Sequence, residues 1–202
     1  MRKIEKRSIF CLILAALLGL GLAFFCFHFV VDGGDWASYP YNRHLYNNAG
    51  QLKGGTILDR DGDMLSTLDE DGNRIYNDDA TVRRATLHAV GDKNGNIGAG
   101  ALTSFADKLS GYNLLTGVYS PLGTGNSLYL TIDAYLNNVA YQALNGMNGT
   151  VGVYNYKTGE ILCMVSTPTF DPANPPDIAA DDPAWDGVYV NRLLSANSIP
   201  GS

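Results

Sequence analysis

The stretch DAYLNNVAYQALNGMNGTVGVYNYKTGEILCMVS, residues 133–166, changes its hydrophobic period halfway along. In its first half Leu136, Val139, Ala140, Ala143 and Leu144 share one face at helical spacing. Asp133 is placed to cap the N-terminus and Gly146 to take the C′ position, so a helix is expected between them. After Asn148, two apolar runs at 150–156 and 160–166 flank Lys157-Thr158-Gly159, the pattern of a β-hairpin closed by a tight turn. A helix followed by an antiparallel pair points to an α+β fold, and a domain boundary is expected near Met147. The following TPTFDPANPP, residues 167–176, is too proline-rich to continue a strand and reads as an extended surface loop.

Upstream, two Asp-Gly pairs stand between short apolar runs, Asp61-Gly62 in TILDRDGDMLSTL and Asp71-Gly72 in STLDEDGNRIY. Both are expected to form hairpins with type I′ turns. Their acidic clusters raise a calcium reading, which fails on spacing. A binding loop opening at Asp59 would need glycine at Met64, and one opening at Asp69 would need it at Arg74. Ala101, Leu102, Phe105 and Leu109 predict a helix that Gly111 stops, and NSLYLTID at 126–133 is strand-like. His88 has no Cys or His at metal-ligand spacing and reads as a packed or capping residue. No metal or cofactor is expected.

The N-terminus is of another kind. Residues 8–31 carry no formal charge and one histidine, His28. At about 1.5 Å rise per residue they reach roughly 36 Å, enough to cross a hydrocarbon core of about 30 Å. The run is longer than a signal-peptide core and no A-x-A site follows, so it reads as an uncleaved anchor. Arg2, Lys3, Lys6 and Arg7 precede it, while Asp32 and Asp35 follow. Basic residues stay on the cytoplasmic side, which puts the N-terminus inside and the bulk of the chain outside the membrane. Beyond the span, ten basic residues face 19 acidic ones. That balance argues against a nucleic-acid partner. The organisation expected is a tail at 1–7, an anchor at 8–31, a connector and small β-rich region with helices at 32–146, and the hairpin region at 147–202. Cys11 and Cys26 fall in the span, so exterior Cys163 has no internal disulfide partner and reads as a small buried apolar residue.

Lys157-Thr158-Gly159 also spells a signature of penicillin-recognising serine enzymes. There it follows the nucleophile on a strand; here it is placed on a turn and precedes any candidate nucleophile. The broader resemblance is carried by longer stretches in order. GGTILDRDGDMLS, residues 54–66, resembles the R-G-x-I-x-D-R-x-G box of class B penicillin-binding proteins, with Gly54 where arginine is usual. VRRATLHAVGD and residues 96–133 resemble the non-catalytic pedestal of Gram-positive members, and residues 149–172 the first hairpin of the transpeptidase domain. NRLLSANSIPGS, residues 191–202, is similar to the lead-in to the S-x-x-K nucleophile.

That resemblance implies a membrane-anchored peptidoglycan D,D-transpeptidase whose acyl-accepting serine is Ser202. Its partners would be stem peptides, β-lactams and cell-division or elongation proteins. A serine hydroxyl needs a base, which the family supplies as the lysine three residues on; the 202 residues do not include that position. The chain is therefore expected to be the first part of a larger enzyme and inactive alone. Its hairpin is expected to leave a strand edge uncovered. The alternative is a short, non-catalytic, membrane-tethered module of the cell-wall machinery.

Overall fold

The computed structural model describes residues 2–38, 54–111, 125–179 and 181–195. It opens with helix α1 (Arg2–Ser38). Within it, Lys6–Gly33 is long and apolar enough to cross a bilayer. The helix runs seven residues past the apolar stretch, into what the sequence presents as the connector. At the junction His28 Nδ1 and Asp32 Oδ2 meet at 2.6 Å, an i,i+4 pair that favours helical continuation where the chain turns polar. The rest of the expected connector, 39–53, lies outside the described residues, as do 112–124.

Three short strands follow: β1 (Thr56–Leu58), β2 (Met64–Leu68) and β3 (Arg74–Tyr76). β1–β2 and β2–β3 are the two expected antiparallel hairpins. Strand β4 (Ser127–Tyr129) joins β1 in parallel, giving the order β3-β2-β1-β4. The turns are not type I′, which needs positive φ at both central residues. Gly62 (φ 92°) and Gly72 (φ 79°) are left-handed, but Asp61 and Asp71 are not.

Instead, an aspartate at the start of each turn holds it from inside. Asp59 Oδ1 accepts from the Asp61 and Asp63 N–H groups, both at 2.9 Å. Asp69 Oδ1 repeats the arrangement with Asp71 and Asn73, at 3.0 and 2.8 Å. Backbone bonds from Gly62 to Asp59 and from Gly72 to Asp69 close the same ring in both. The twins differ in burial. Asp69 is exposed, whereas Asp59 is 2% exposed and its Oδ2 accepts from Ala134 N–H at 3.1 Å. One carboxylate thus ties the first hairpin to a helix N-terminus 75 residues away.

Helix α2 (Ala80–Val90), which the apolar pattern did not announce, is capped by Asp79, whose side chain accepts from Thr81 N–H at 2.7 Å. The single helix expected over 101–110 is two pieces, α3 (Ala101–Ser104) and α4 (Ala106–Ser110), broken at Phe105. Ala101, Leu102 and Leu109 are buried, but Phe105 is not. Gly111 ends α4 in the left-handed conformation, as expected. These helices pack Ala89, Val90, Leu102, Ala106 and Leu109 against Ile57 and Leu65 of the sheet, forming the main core.

Helix α5 (Ala134–Leu144) starts at Asp133, which caps Leu136 N–H at 2.9 Å. Asn145 takes the left-handed position one residue before Gly146, which is left-handed too. Leu136, Ala140 and Leu144 of the expected face pack against the hairpin, but the buried face is rotated from the apolar one: Ala134 and Asn137 are covered too, whereas Val139 is 46% exposed and Ala143 is exposed. Asn137 accounts for the rotation. Its Nδ2 donates to Asp133 O at 2.7 Å, and its Oδ1 accepts from Met164 N–H at 3.0 Å.

Strands β5 (Gly149–Tyr154) and β6 (Ile161–Thr167) form the expected hairpin. Val151, Cys163 and Val165 face α5, so Cys163 is buried as read. The edge of β6 away from β5 is not bare. It receives N–H groups from Asp133 (to Leu162 O, 2.9 Å) and the Thr131 hydroxyl (to Ile161 O, 2.7 Å) and gives Met164 N–H to Asn137. The loop after β6 is also not wholly at the surface. Phe170 packs with Leu87, Ile97 and Val188, and Asp171 receives the Arg83 guanidinium through Nε and Nη2, each at 2.6 Å.

Two measurements check this packing. A Cβ on Gly55 would stand 2.6 Å from Leu109 Cβ, at a φ of +83°. Gly55→Ala should therefore cost about 2–4 kcal/mol in denaturant titration, from overpacking plus left-handed strain. The Arg83 fork holds the Asp171 carboxyl below its ordinary value of 3.8. The stabilisation is complete above that value and lost as pH falls through the lower folded one. Asp171→Asn should cost about 2–3 kcal/mol at neutral pH, at the low end for a covered pair that keeps some exposure, and should flatten the acid limb of the stability profile.

Candidate functional site

The segment from Asp186 to Ser195 is the described approach to the sequence-predicted nucleophile; Ser202 itself lies outside the described residues. A three-residue 3-10 turn, Pro183–Trp185, is capped by Asp182 and leads through Gly187 to helix α6 (Arg192–Ser195). An open groove of about 630 Å³ follows this turn, edged by Ile178, Trp185 and Tyr189 with Asp181, Asp182 and Asp186.

Entry into α6 is held by two adjacent residues. Asn191 Nδ2 donates to His88 O at 3.3 Å and approaches Met164 Sδ. Arg192 N–H donates to Ser166 Oγ at 3.1 Å, its Nε to Thr167 O at 2.8 Å and its Nη2 to Asp186 O at 2.9 Å. α2 and β6 therefore converge on one point of the chain. Leu193 completes it from the other side, lying over Gly152 of β5, where a Cβ would meet Leu193 Cδ1 at 2.5 Å.

His88 is 1% exposed, and its Nε2 donates to Val188 O at 2.8 Å, so the neutral ring carries its proton there. Burial first, and then the nearby Arg192 charge, hold its pKa below the usual histidine value despite that bond, which keeps the ring neutral at pH 7. His88 Nδ1 and Asn191 Oδ1 are buried without a hydrogen-bond partner. Each such acceptor costs about 1–3 kcal/mol. The expectation of a packed histidine holds.

Lys157 sits in the turn of the β5–β6 hairpin, as expected. Its N–H donates to Asn155 Oδ1 at 3.0 Å, and its Nζ lies 5.7 Å from the exposed Tyr156 ring. Among the described residues no group of three or more His, Cys, Asp or Glu could hold a metal ion. The Asp59 oxygens, once weighed as calcium ligands, are occupied by three backbone N–H groups. Gly54 takes φ +105°, with Gly125 Cα 3.2 Å from where its Cβ would be. Both its carbonyl and that of Gly55 accept from the buried Arg74 guanidinium at 2.7 Å. Sequence reasoning gave no role to Asn191, Arg192, Arg83 or Asp171. The adjacent Asn and Arg at the head of the lead-in motif were the one available signal.

No family model matches the chain. It is 48% identical over 84 residues to the peptidoglycan D,D-transpeptidase MrdA of Acinetobacter baumannii, covering 39% of this chain and 12% of that protein. It is 41% identical over 51 residues to MrdA of Haemophilus influenzae, covering 25% of this chain and 8% of that protein. The matches thus span about a tenth of the relatives' length. Two solved structures are similar in outline. Pseudomonas aeruginosa PBP2 in complex with WCK 5153 has TM-score 0.48 and 25% identity over 61% of this chain and 29% of that one. The D,D-transpeptidase domain of a peptidoglycan glycosyltransferase from Eggerthella lenta has TM-score 0.49 and 28% identity over 69% and 32%. These sequence relatives support the resemblance to class B penicillin-binding proteins, over a small part of the relatives' length.

Proposed function

We propose that these residues are the N-terminal part of a membrane-anchored enzyme that cross-links peptidoglycan stem peptides through an acyl-serine. The observation that carries this reading is the 48% identity over 84 residues to a protein named peptidoglycan D,D-transpeptidase. Residues 8–31 anchor the chain with its N-terminus inside, and 32–146 form a non-catalytic pedestal. From residue 147 onward the transpeptidase domain begins. The apolar length of α1 and the four cations before it support the topology.

The chemistry rests on Ser202. Its hydroxyl oxygen bonds to the carbonyl carbon of the penultimate D-Ala, and its proton passes to the lysine amine that the family places one helical turn on. The tetrahedral intermediate collapses by breaking the C–N bond, and terminal D-Ala leaves with that proton. An amine from a neighbouring strand then attacks the ester carbonyl, the serine regains its proton and the cross-link is made. Backbone N–H donors lower both barriers by stabilising the oxyanion. A β-lactam diverts the first step, because its ring C–N bond opens on acylation and the leaving nitrogen stays attached.

Fluorescent penicillin tests the proposal. The product of the native locus should be labelled covalently at Ser202, and Ser202→Ala should abolish the label. Residues 32–202 alone, without the base, should stay unlabelled. A native product that never reacts would overturn the transpeptidase reading, and labelling of 32–202 would overturn the need for a lysine beyond them.

A further inference from the structure

We propose that Phe105 and Lys108 form a second contact with the membrane, a ring and an amine set into the lipid headgroup layer beside the anchor; the inference rests on the membrane-anchored reading above. Between residues 6 and 31 every position of α1 is exposed or half-buried, and Gly33 is the first to be buried. Toward this end α1 packs against α4. Gly33 stands two residues past Val31, where the uncharged run closes. That is a rise of about 3 Å. The polar layer on each side of a bilayer is about 5–8 Å deep. A helix seated against this part of the anchor is held at the depth of the headgroups, not out in bulk water.

At that depth the position of Phe105 has a cause. Helical spacing expects its ring on the buried face with Leu102 and Leu109. Instead the chain breaks between α3 and α4 at Phe105 (φ −121°, ψ 27°), and the ring stays 36% exposed while both leucines are covered. Lys108 Nζ lies 5.2 Å from the centre of that ring, so the exposed amine and the exposed aromatic form one feature. In water this leaves apolar area uncovered. At a membrane surface the pairing fits, with the ring among the upper acyl chains and the ammonium among phosphates. The feature is carried rigidly. Lys108 O accepts from Asn126 Nδ2 at 2.8 Å, and Leu109 O from Asn126 N–H at 3.0 Å, which ties α4 to the start of β4. Asp107, the other charge on α4, is half-buried. The exterior chain is acidic overall, so the contact is local to this ring and amine and not a broad electrostatic attraction.

The experiment places trifluoromethyl-phenylalanine in place of Phe105 in the full-length native product. The protein is reconstituted in nanodiscs of phosphatidylcholine and phosphatidylglycerol, and the fluorine NMR line is read. The same probe in place of Phe25, within the span, and of the exposed Tyr156, in the β5–β6 turn, gives two references. A lipid carrying a nitroxide near the top of its acyl chain should broaden the line from position 105 severalfold more than the line from 156. Lys108→Glu should lessen that broadening at an unchanged thermal midpoint, because the side chain is exposed. A line from 105 broadened no more than that from 156 overturns the proposal. It does so whether an aqueous gadolinium chelate broadens the line, which puts the ring in water, or neither agent does, which puts it under protein. Broadening that Lys108→Glu leaves as it was overturns the share given to the amine. Phe25 distinguishes the two levels. If its probe is untouched by the nitroxide lipid, the membrane-anchored reading falls and this one with it. If it is broadened while the line from 105 is indifferent, the anchor stands and only the second contact falls.

Discussion

The Arg83 fork on Asp171 joins residues 88 positions apart, and the arrangement of the later chain depends on it. Arg83 Nη1 donates at 2.8 Å to the carbonyls of Asn77 and Asp78, so the guanidinium is spoken for on all sides. Asp171 in turn accepts Ala173 N–H at 3.0 Å. A bidentate charged pair fixes both distance and orientation, which a point contact does not. Thr169 Oγ1 adds a bond to Arg84 O at 2.8 Å. With these contacts the proline-rich stretch after β6 is laid along α2, and Phe170 reaches the small core formed with Leu87, Ile97 and Val188.

Helix α2 is consequently the element on which the sheet region and the hairpin region meet. Near its start it holds the loop through Arg83, and at its end it holds the entry to α6 through His88. Between them its buried residues feed two of the three apolar clusters. Asp59 does the equivalent work for the first hairpin, by spending its second oxygen on α5. Arg74, whose pKa burial lowers to about 10, stays charged at neutral pH and binds the carbonyls of Gly54 and Gly55. The folded chain is therefore stitched by a few buried polar groups with long sequence separation, set among apolar contacts that alone would allow sliding.

Elements whose cause is local were legible in the sequence. The N-cap at Asp133, the turn at Lys157–Gly159, the Asp-Gly hairpins and the stop at Gly111 depend on residues within a few positions of one another. Errors arose where a distant partner decided the outcome. The face of α5 was read from apolar residues, but Asn137 turned inward because the edge of β6 offered it an N–H. The TPTFDP stretch read as surface until Arg83 gave its carboxylate a reason to be covered. The type I′ turns failed for a subtler reason. A preceding aspartate stabilised a turn in which only the glycine is left-handed.

By itself the sequence determined the membrane-length apolar helix and the mixture of helix with antiparallel pairs, because each follows from composition, period or short-range spacing. Only the tertiary structure decided that Asn191 and Arg192 meet α2 and β6, that Asp171 lies under Arg83, and that the outer edge of β6 is occupied. The physical reason is the same throughout. Directional bonds between groups 25 to 103 residues apart leave no periodic trace in the chain, and become readable only once the backbone has brought their atoms within about 3 Å.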